Sequence, residues 1–155
     1  MEKITTVDRT MMIDAPPSAV WKALTDPSLI RLYRMNSSMD GDWQKGGWVR
    51  WFELKDGKEV LQAKGKVLEM MPERRLRHSN YSPSLGLPDE PENYTTVDFT
   101  LDVERDGRTR LHLWQGEFAG LPHAERLARA AGKEWVEALV GLKRIAEEQA
   151  QGMAA

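Results

Sequence analysis

The segment from Val7 to Pro27 narrows what this chain can fold into, because a pattern with a period of two passes into a helical one across a proline hinge. Val7, Arg9, Met11 and Ile13 share one face of a strand, as alternation requires. Asp14-Ala15-Pro16-Pro17-Ser18 breaks that period, and Val20, Trp21 and Leu24 follow at helical spacing. A proline at the start of a helix is already in helical geometry, and Pro27 ends the helix after Thr25-Asp26 because it restricts its predecessor and has no N–H. The chain opens as a strand joined to a helix by a tight hinge.

A chain of 155 residues fits one domain, expected to span 1–155 and large enough to bury roughly 70% of its unfolded surface. It has no cysteine, which excludes disulfides, thiolate catalysis and cysteine-ligated zinc. The start, Met1-Glu2-Lys3-Ile4-Thr5-Thr6, lacks the basic-then-apolar plan of a secretory signal, and no run approaches the ~18 apolar residues that span a bilayer. A cytoplasmic location is therefore expected. The net charge of −2, from 22 basic and 24 acidic residues, supplies no field for nucleic acid or an anionic membrane. Arg74-Arg75-Leu76-Arg77, Arg108 and Arg110 lack interleaved aromatics and read as solvated sheet positions. Six tryptophans are less ordinary, with Trp43, Trp48 and Trp51 inside nine positions. Rings of that size suit a packed core or the walls of a concave site.

Beyond the first helix, Ser28, Leu29, Ile30, Leu32 and Tyr33 indicate a second short one. Turn signals then recur at Asp40-Gly41, Lys45-Gly46-Gly47, Asp56-Gly57 and Asp106-Gly107, and between them the pattern predicts strands near 48–54, 59–70, 75–82, 95–105 and 109–117, an antiparallel meander. Val97, Phe99, Leu101 and Val103 alternate with polar residues, as do Leu111 and Leu113, so that hairpin covers core on one face. Residues 83–94 carry three prolines and no period; they form either a plain connection or a lid. From about His123, Leu127, Ala131, Trp135, Ala138, Leu142 and Ile145 recur at three- and four-residue spacing, which predicts an amphipathic helix of roughly 24 residues and about 36 Å. Gly132 and Gly141 cost that helix about 1 kcal/mol each, to be explained by close approach to the sheet or by chance.

Several local motifs, in order, resemble those of one family. They are Ala15-Pro16 with Val20-Trp21 and Leu24-Thr25-Asp26-Pro27, then Gly46-Gly47 before an aromatic strand, Gly65-Lys66-Val67-Leu68-Glu69 leading to Pro72-Glu73-Arg74-Arg75-Leu76, and Trp135 with Leu139 and Leu142. Together they resemble the Hsp90-ATPase-activator-homologue branch of the helix-grip (START-like, Bet v 1-like) superfamily over nearly the whole chain. The resemblance implies an α+β fold: a seven-stranded curved antiparallel sheet in the order 1-7-6-5-4-3-2, two short helices after strand 1, and a long C-terminal helix gripped by the sheet. The chain departs from the family pattern at Leu32-Tyr33, where members often carry a tryptophan, and over Arg34-Met35-Asn36-Ser37-Ser38-Met39, which borders the pocket mouth in that fold.

No nucleophile elbow, phosphate-binding glycine loop or His-Glu-x-x-His pair is present. His78, His112 and His123 have no metal-ligand spacing, so neither a metal nor a cofactor is expected. The resemblance places any site between the long helix and the concave sheet. It turns Val49, Trp51 and Glu53 inward, which makes Glu53 a candidate acid or base among aromatics; an exposed strand-end charge is the plainer reading. Gln115 and Glu117 share parity with the inward Leu113 and either add polar contacts or cap the edge. Leu76, His78 and Asn80 form another candidate lining, against the opposite set Arg77, Ser79 and Tyr81. Trp48, Trp51, Phe52, Phe99 and Trp114 are expected to surround a pocket of roughly 300–1,000 Å³, with Trp135 wedged beneath the helix.

The expected ligand set is Trp51, Glu53, His78, Phe99, Leu113, Gln115 and Trp135, and the expected partner a small, largely hydrophobic molecule. Two other functions are compatible with the resemblance. One is a cyclase- or aromatase-like enzyme using Glu53, His78 or Tyr81 in the same cavity. The other is a chaperone-interaction module, less expected of a lone domain because the eukaryotic activator carries another besides. A homodimer is compatible with all three.

Overall fold

The structure, a computed structural model, describes residues 3–34 and 37–154. Strand β1 (Val7–Ile13) leads through Pro16 into α1 (Pro17–Thr25), and α2 (Pro27–Tyr33) follows at once. Pro27 both terminates α1 and starts α2. Asp26 joins the two by capping, its Oδ1 accepting from the backbone N of Ser28 at 2.9 Å and from its Oγ at 2.7 Å, which satisfies donors the first helical turn leaves open. Strands β2 (Ser37–Gly41), β3 (Trp48–Lys55), β4 (Lys58–Met71), β5 (Arg75–Asn80), β6 (Thr95–Val103) and β7 (Thr109–Gly116) then form the meander, and α3 (Ala124–Ala154) closes the chain. The seven strands are antiparallel in the order β1-β7-β6-β5-β4-β3-β2, the expected helix-grip topology.

Two elements differ from the sequence expectation. Strand β2 had no predicted range, since Ser-Ser-Met-Asp-Gly carries no apolar alternation; it is an edge strand held by pairing to β3. Helix α3 runs 31 residues rather than 24, about 46 Å, because the Glu-Glu-Gln-Ala-Gln stretch after Ile145 continues with good helix formers.

The apolar stripe of α3 lies over the concave face. Leu139, Leu142, Ile145 and Ala146 pack with Ile13, Val20, Val67, Leu76 and Leu111, all essentially inaccessible to solvent. The helix glycines have separate explanations. A Cβ on Gly141 would stand 2.6 Å from Cβ of Tyr33, so the close approach is to α2 and not to the sheet; on Gly132 it would meet the tip of Arg9 at 3.0 Å.

The 83–94 connection is tied down along its length. The Tyr81 hydroxyl donates to the Leu87 carbonyl at 2.6 Å, Asn93 donates to that of Pro88 at 2.8 Å, and Asp89 pairs with Lys64 while accepting from the Tyr94 hydroxyl. Tyr94 stacks on Tyr81 at 5.3 Å between centroids and meets Trp48 edge-on at 6.5 Å. The segment is a braced wall.

Candidate functional site

Between α3 and the sheet the fold leaves a cavity of about 250 Å³, a little under the expected range because Leu24, Ile30 and Tyr33 of the first two helices also project into it. Strand parity decides what each strand contributes. On β5 the inward set is Leu76, His78 and Asn80, while Tyr81 faces the aromatic cluster that braces the 83–94 wall. On β6 and β7 the cavity residues are Thr95, Val97, Phe99 and Gln115, and α3 adds Trp135. Ser84, Leu85 and Asn93 of the braced connection complete the wall.

One end of the cavity is aromatic. Trp51 lies 5.1 Å from His78 between ring centroids, and Trp43 meets both rings edge-on at 6.1 Å. Trp43 is fixed by its indole N–H, which donates to the Thr25 carbonyl at 2.9 Å, so the end of α1 sets the position of a ring contributed by the β2–β3 connection. Toward β7, Trp135 meets Phe99 edge-on at 5.6 Å and donates from Nε1 to Oε1 of Gln115 at 2.7 Å; Nε2 of Gln115 donates to Thr95 Oγ1 at 3.0 Å. This chain of bonds joins α3, β7 and β6, and it satisfies buried groups that would otherwise cost about 1–3 kcal/mol each.

His78 is 4% exposed. Burial pushes its imidazole down to about 4 and the charge of Arg34 adds to the depression, against the Ser79 carbonyl, which favours the charged form. The ring is therefore neutral at pH 7. Its Nδ1 lies 2.9 Å from the Ser79 carbonyl, an acceptor, so Nδ1 carries the proton and Nε2 is left as a lone-pair acceptor. Among the described residues Nε2 has no hydrogen-bond partner. Tyr33 is pushed up to about 12 by burial and donates its hydroxyl to the Ala23 carbonyl at 2.9 Å, so it is a wall group and not an acid. Arg34 lines the cavity with its guanidinium carbon 5.4 Å from the centre of the Trp135 ring, within cation–π range.

Of the residues singled out in the sequence, the cavity brings together Trp51, His78, Phe99, Gln115 and Trp135, with Leu76 and Asn80. Others lie elsewhere. Glu53 sits past the end of the cavity with a side chain 35% exposed and 3.8 Å from Lys55, because β3 runs on beyond the region α3 covers. Leu113 is fully buried in the core cluster that includes Leu139 and Leu142 and does not reach the cavity. Trp48, Phe52 and Trp114 also fall outside it, since their parity is opposite to that of Trp51 and Leu113, and Trp48 is 43% exposed against Tyr94. Glu117 is exposed and accepts from the Ala119 N–H at 2.9 Å, a local turn contact. Among the described residues no group of three or more metal-ligating side chains is found, and no helix is long and apolar enough to cross a membrane.

The expected ligand set leaves out Trp43, Tyr33 and Arg34, all of which line the cavity. Trp43 belongs to the visible tryptophan cluster, but it stands between strands, where parity does not apply. Arg34 was legible only as part of the run expected at the mouth; of that run, Met35 and Asn36 lie outside the described residues.

Comparison with known proteins agrees with this architecture. The family model described as activator of Hsp90 ATPase homolog 1-like protein matches residues 14–147. The solution structure of a Cytophaga hutchinsonii protein is 30% identical, with a TM-score of 0.76 over 96% of this chain and 98% of the other. A crystal structure from Mesorhizobium loti is 24% identical, with a TM-score of 0.70 over 92% and 97%. A dimeric protein from Colwellia psychrerythraea shares the fold at 17% identity, with a TM-score of 0.70 over 93% and 97%. No curated protein matches the sequence. With the fold, the strand order and a family match across nearly all of the described chain, the protein belongs to the activator of Hsp90 ATPase homolog 1-like family.

Proposed function

We propose that the protein binds a small, largely apolar molecule in the cavity between α3 and the concave sheet. The observation that carries this reading is the aromatic enclosure that Trp43 and Trp51 form around the neutral imidazole of His78, whose Nε2 has no partner among the described residues. Apolar walls with a few oriented polar groups are what small-molecule sites present. Binding is favoured over catalysis on the setting of the three acid and base candidates: Glu53 is outside the cavity, Tyr81 donates its hydroxyl to the Leu87 carbonyl, and His78, the one on the lining, is pushed down to about 4 by burial and is a weak base at neutral pH.

The test is native mass spectrometry of freshly purified protein, followed by tryptophan fluorescence with the released compound. A bound species of discrete mass is expected. It should quench wild-type emission, with the response reduced in Trp51→Phe and retained in Trp48→Phe. A full response in Trp51→Phe would place the ligand elsewhere.

A further inference from the structure

We propose that the ligand is an organic acid carrying a hydroxyl group: a ring body enclosed by Trp43, Trp51 and Phe99, a carboxylate held by the guanidinium of Arg34, and a hydroxyl that donates to Nε2 of His78. This rests on the binding reading above and adds the chemical class.

Arg34 is the arginine that lines the cavity. Arg75 pairs with Asp98 at 2.6 Å, Arg108 with Asp106 at 2.7 Å, Arg110 with Glu104 at 3.0 Å and Arg144 with Glu148 at 3.6 Å. Among the described residues no carboxylate lies within ion-pair distance of Arg34, although its side chain lines the cavity and lies over Trp135. A guanidinium stacked on a ring keeps its N–H edge free for acceptors in its own plane, and the fork matches both oxygens of a carboxylate. Its charge is felt inside the chamber, since it acts on both Tyr33 and His78. Glu134, the acidic residue on the lining, is exposed on α3 and contributes to neither. Arg34 and Glu134 share the lining with no ion pair between them, so the guanidinium keeps its donors for an acceptor that enters the cavity.

His78 selects a different group. With its Nδ1 proton directed to the Ser79 carbonyl, Nε2 can only accept, so a second carboxylate there would be repelled and a hydroxyl bound. A cavity of about 250 Å³ suits a body of one or two fused rings.

The experiment is isothermal titration calorimetry at neutral pH with three probes, hydroxynaphthoic acid, its carboxamide and naphthoic acid, on the wild type and Arg34→Gln. The wild type should bind the acid about 10–100-fold more tightly than the carboxamide, the range of a hydrogen bond to a charged group. Arg34→Gln should lose that preference, binding acid and carboxamide within about 3-fold of each other. Removing the probe's hydroxyl should weaken wild-type binding about 3–10-fold. Equal binding of acid and carboxamide by the wild type, or a preference that survives in Arg34→Gln, would overturn the acid assignment and leave the cavity reading standing. An unchanged affinity for naphthoic acid would overturn the hydroxyl contact. Failure of all three probes to bind would overturn both this inference and the proposed function.

Discussion

Mild acid should weaken this fold through one imidazole, in a range where carboxylates are still ionised. His78 is 4% exposed and its proton affinity is pushed down to about 4, by burial first and by the charge of Arg34. In the unfolded chain the same group titrates at about 6.5. Between those values the unfolded state binds a proton that the native state refuses, so the stabilisation is complete above the unfolded value and is lost as the pH falls toward the native one. The full difference corresponds to about 3 kcal/mol, and about 2 kcal/mol of it disappears between pH 8 and pH 5, a large part of the ~5–15 kcal/mol that holds a domain together. Urea unfolding over that interval measures the loss, and the NMR titration of the His78 ring, assigned through its contact with Trp51, measures its cause. Stability that stayed flat from pH 8 to pH 5, or a His78 resonance inflecting near 6.5, would refute the buried, neutral imidazole.

The two helix glycines should respond oppositely to alanine. Gly132→Ala should stabilise by about 1 kcal/mol, because helix propensity improves and its new methyl meets only the movable tip of Arg9; Gly141→Ala should destabilise by about 1–3 kcal/mol through overpacking, since it meets the Cβ of Tyr33, whose ring is anchored at Ala23. Urea midpoints that moved the same way would contradict this account. Trp135→Phe should cost about 1–3 kcal/mol by leaving Oε1 of Gln115 without its donor. A double-mutant cycle with Gln115→Leu should return a coupling of about 1 kcal/mol, and strict additivity would mean that the bond does not contribute.

The fold was legible because its signals are local and repeated. Alternation in β1, β6 and β7, glycine turns between strands and the α3 stripe each specify an element without reference to the others, and the proline hinge orders the first three. Strand β2 was not legible, because Ser37–Gly41 is polar and short and exists by pairing with β3. The candidate site was half legible. Parity narrowed β5 to two alternative sets, of which Leu76, His78 and Asn80 line the cavity, and it grouped Gln115 with Leu113 on β7, but it cannot say where along a strand the cavity ends. Glu53 shares a face with Trp51 and lies past that end; Leu113 shares one with Gln115 and lies where helix leucines have filled the space. Trp43 and Arg34 come from connections, and their positions depend on where α1 and α2 stop, which is a tertiary outcome.

The polar groups of the cavity divide into two kinds, and the division bears on why the site exists. Gln115, Trp135 and Thr95 are bonded to one another, as buried polar groups in a stable interior are. On the same lining, His78 presents an Nε2 acceptor and Arg34 a guanidinium, neither with a side-chain hydrogen-bond partner among the described residues. Arg34 is only half-buried and neither group is a sealed, unpartnered atom, so both remain open to whatever enters the cavity. The chain satisfies its interior polarity wherever that polarity connects strands to helix. The one buried side-chain atom without a partner among the described residues, Arg77 Nε, lies off the cavity, whereas His78 and Arg34 are reached from it, and a molecule with an acid at one end and a hydroxyl at the other would complete both groups at once.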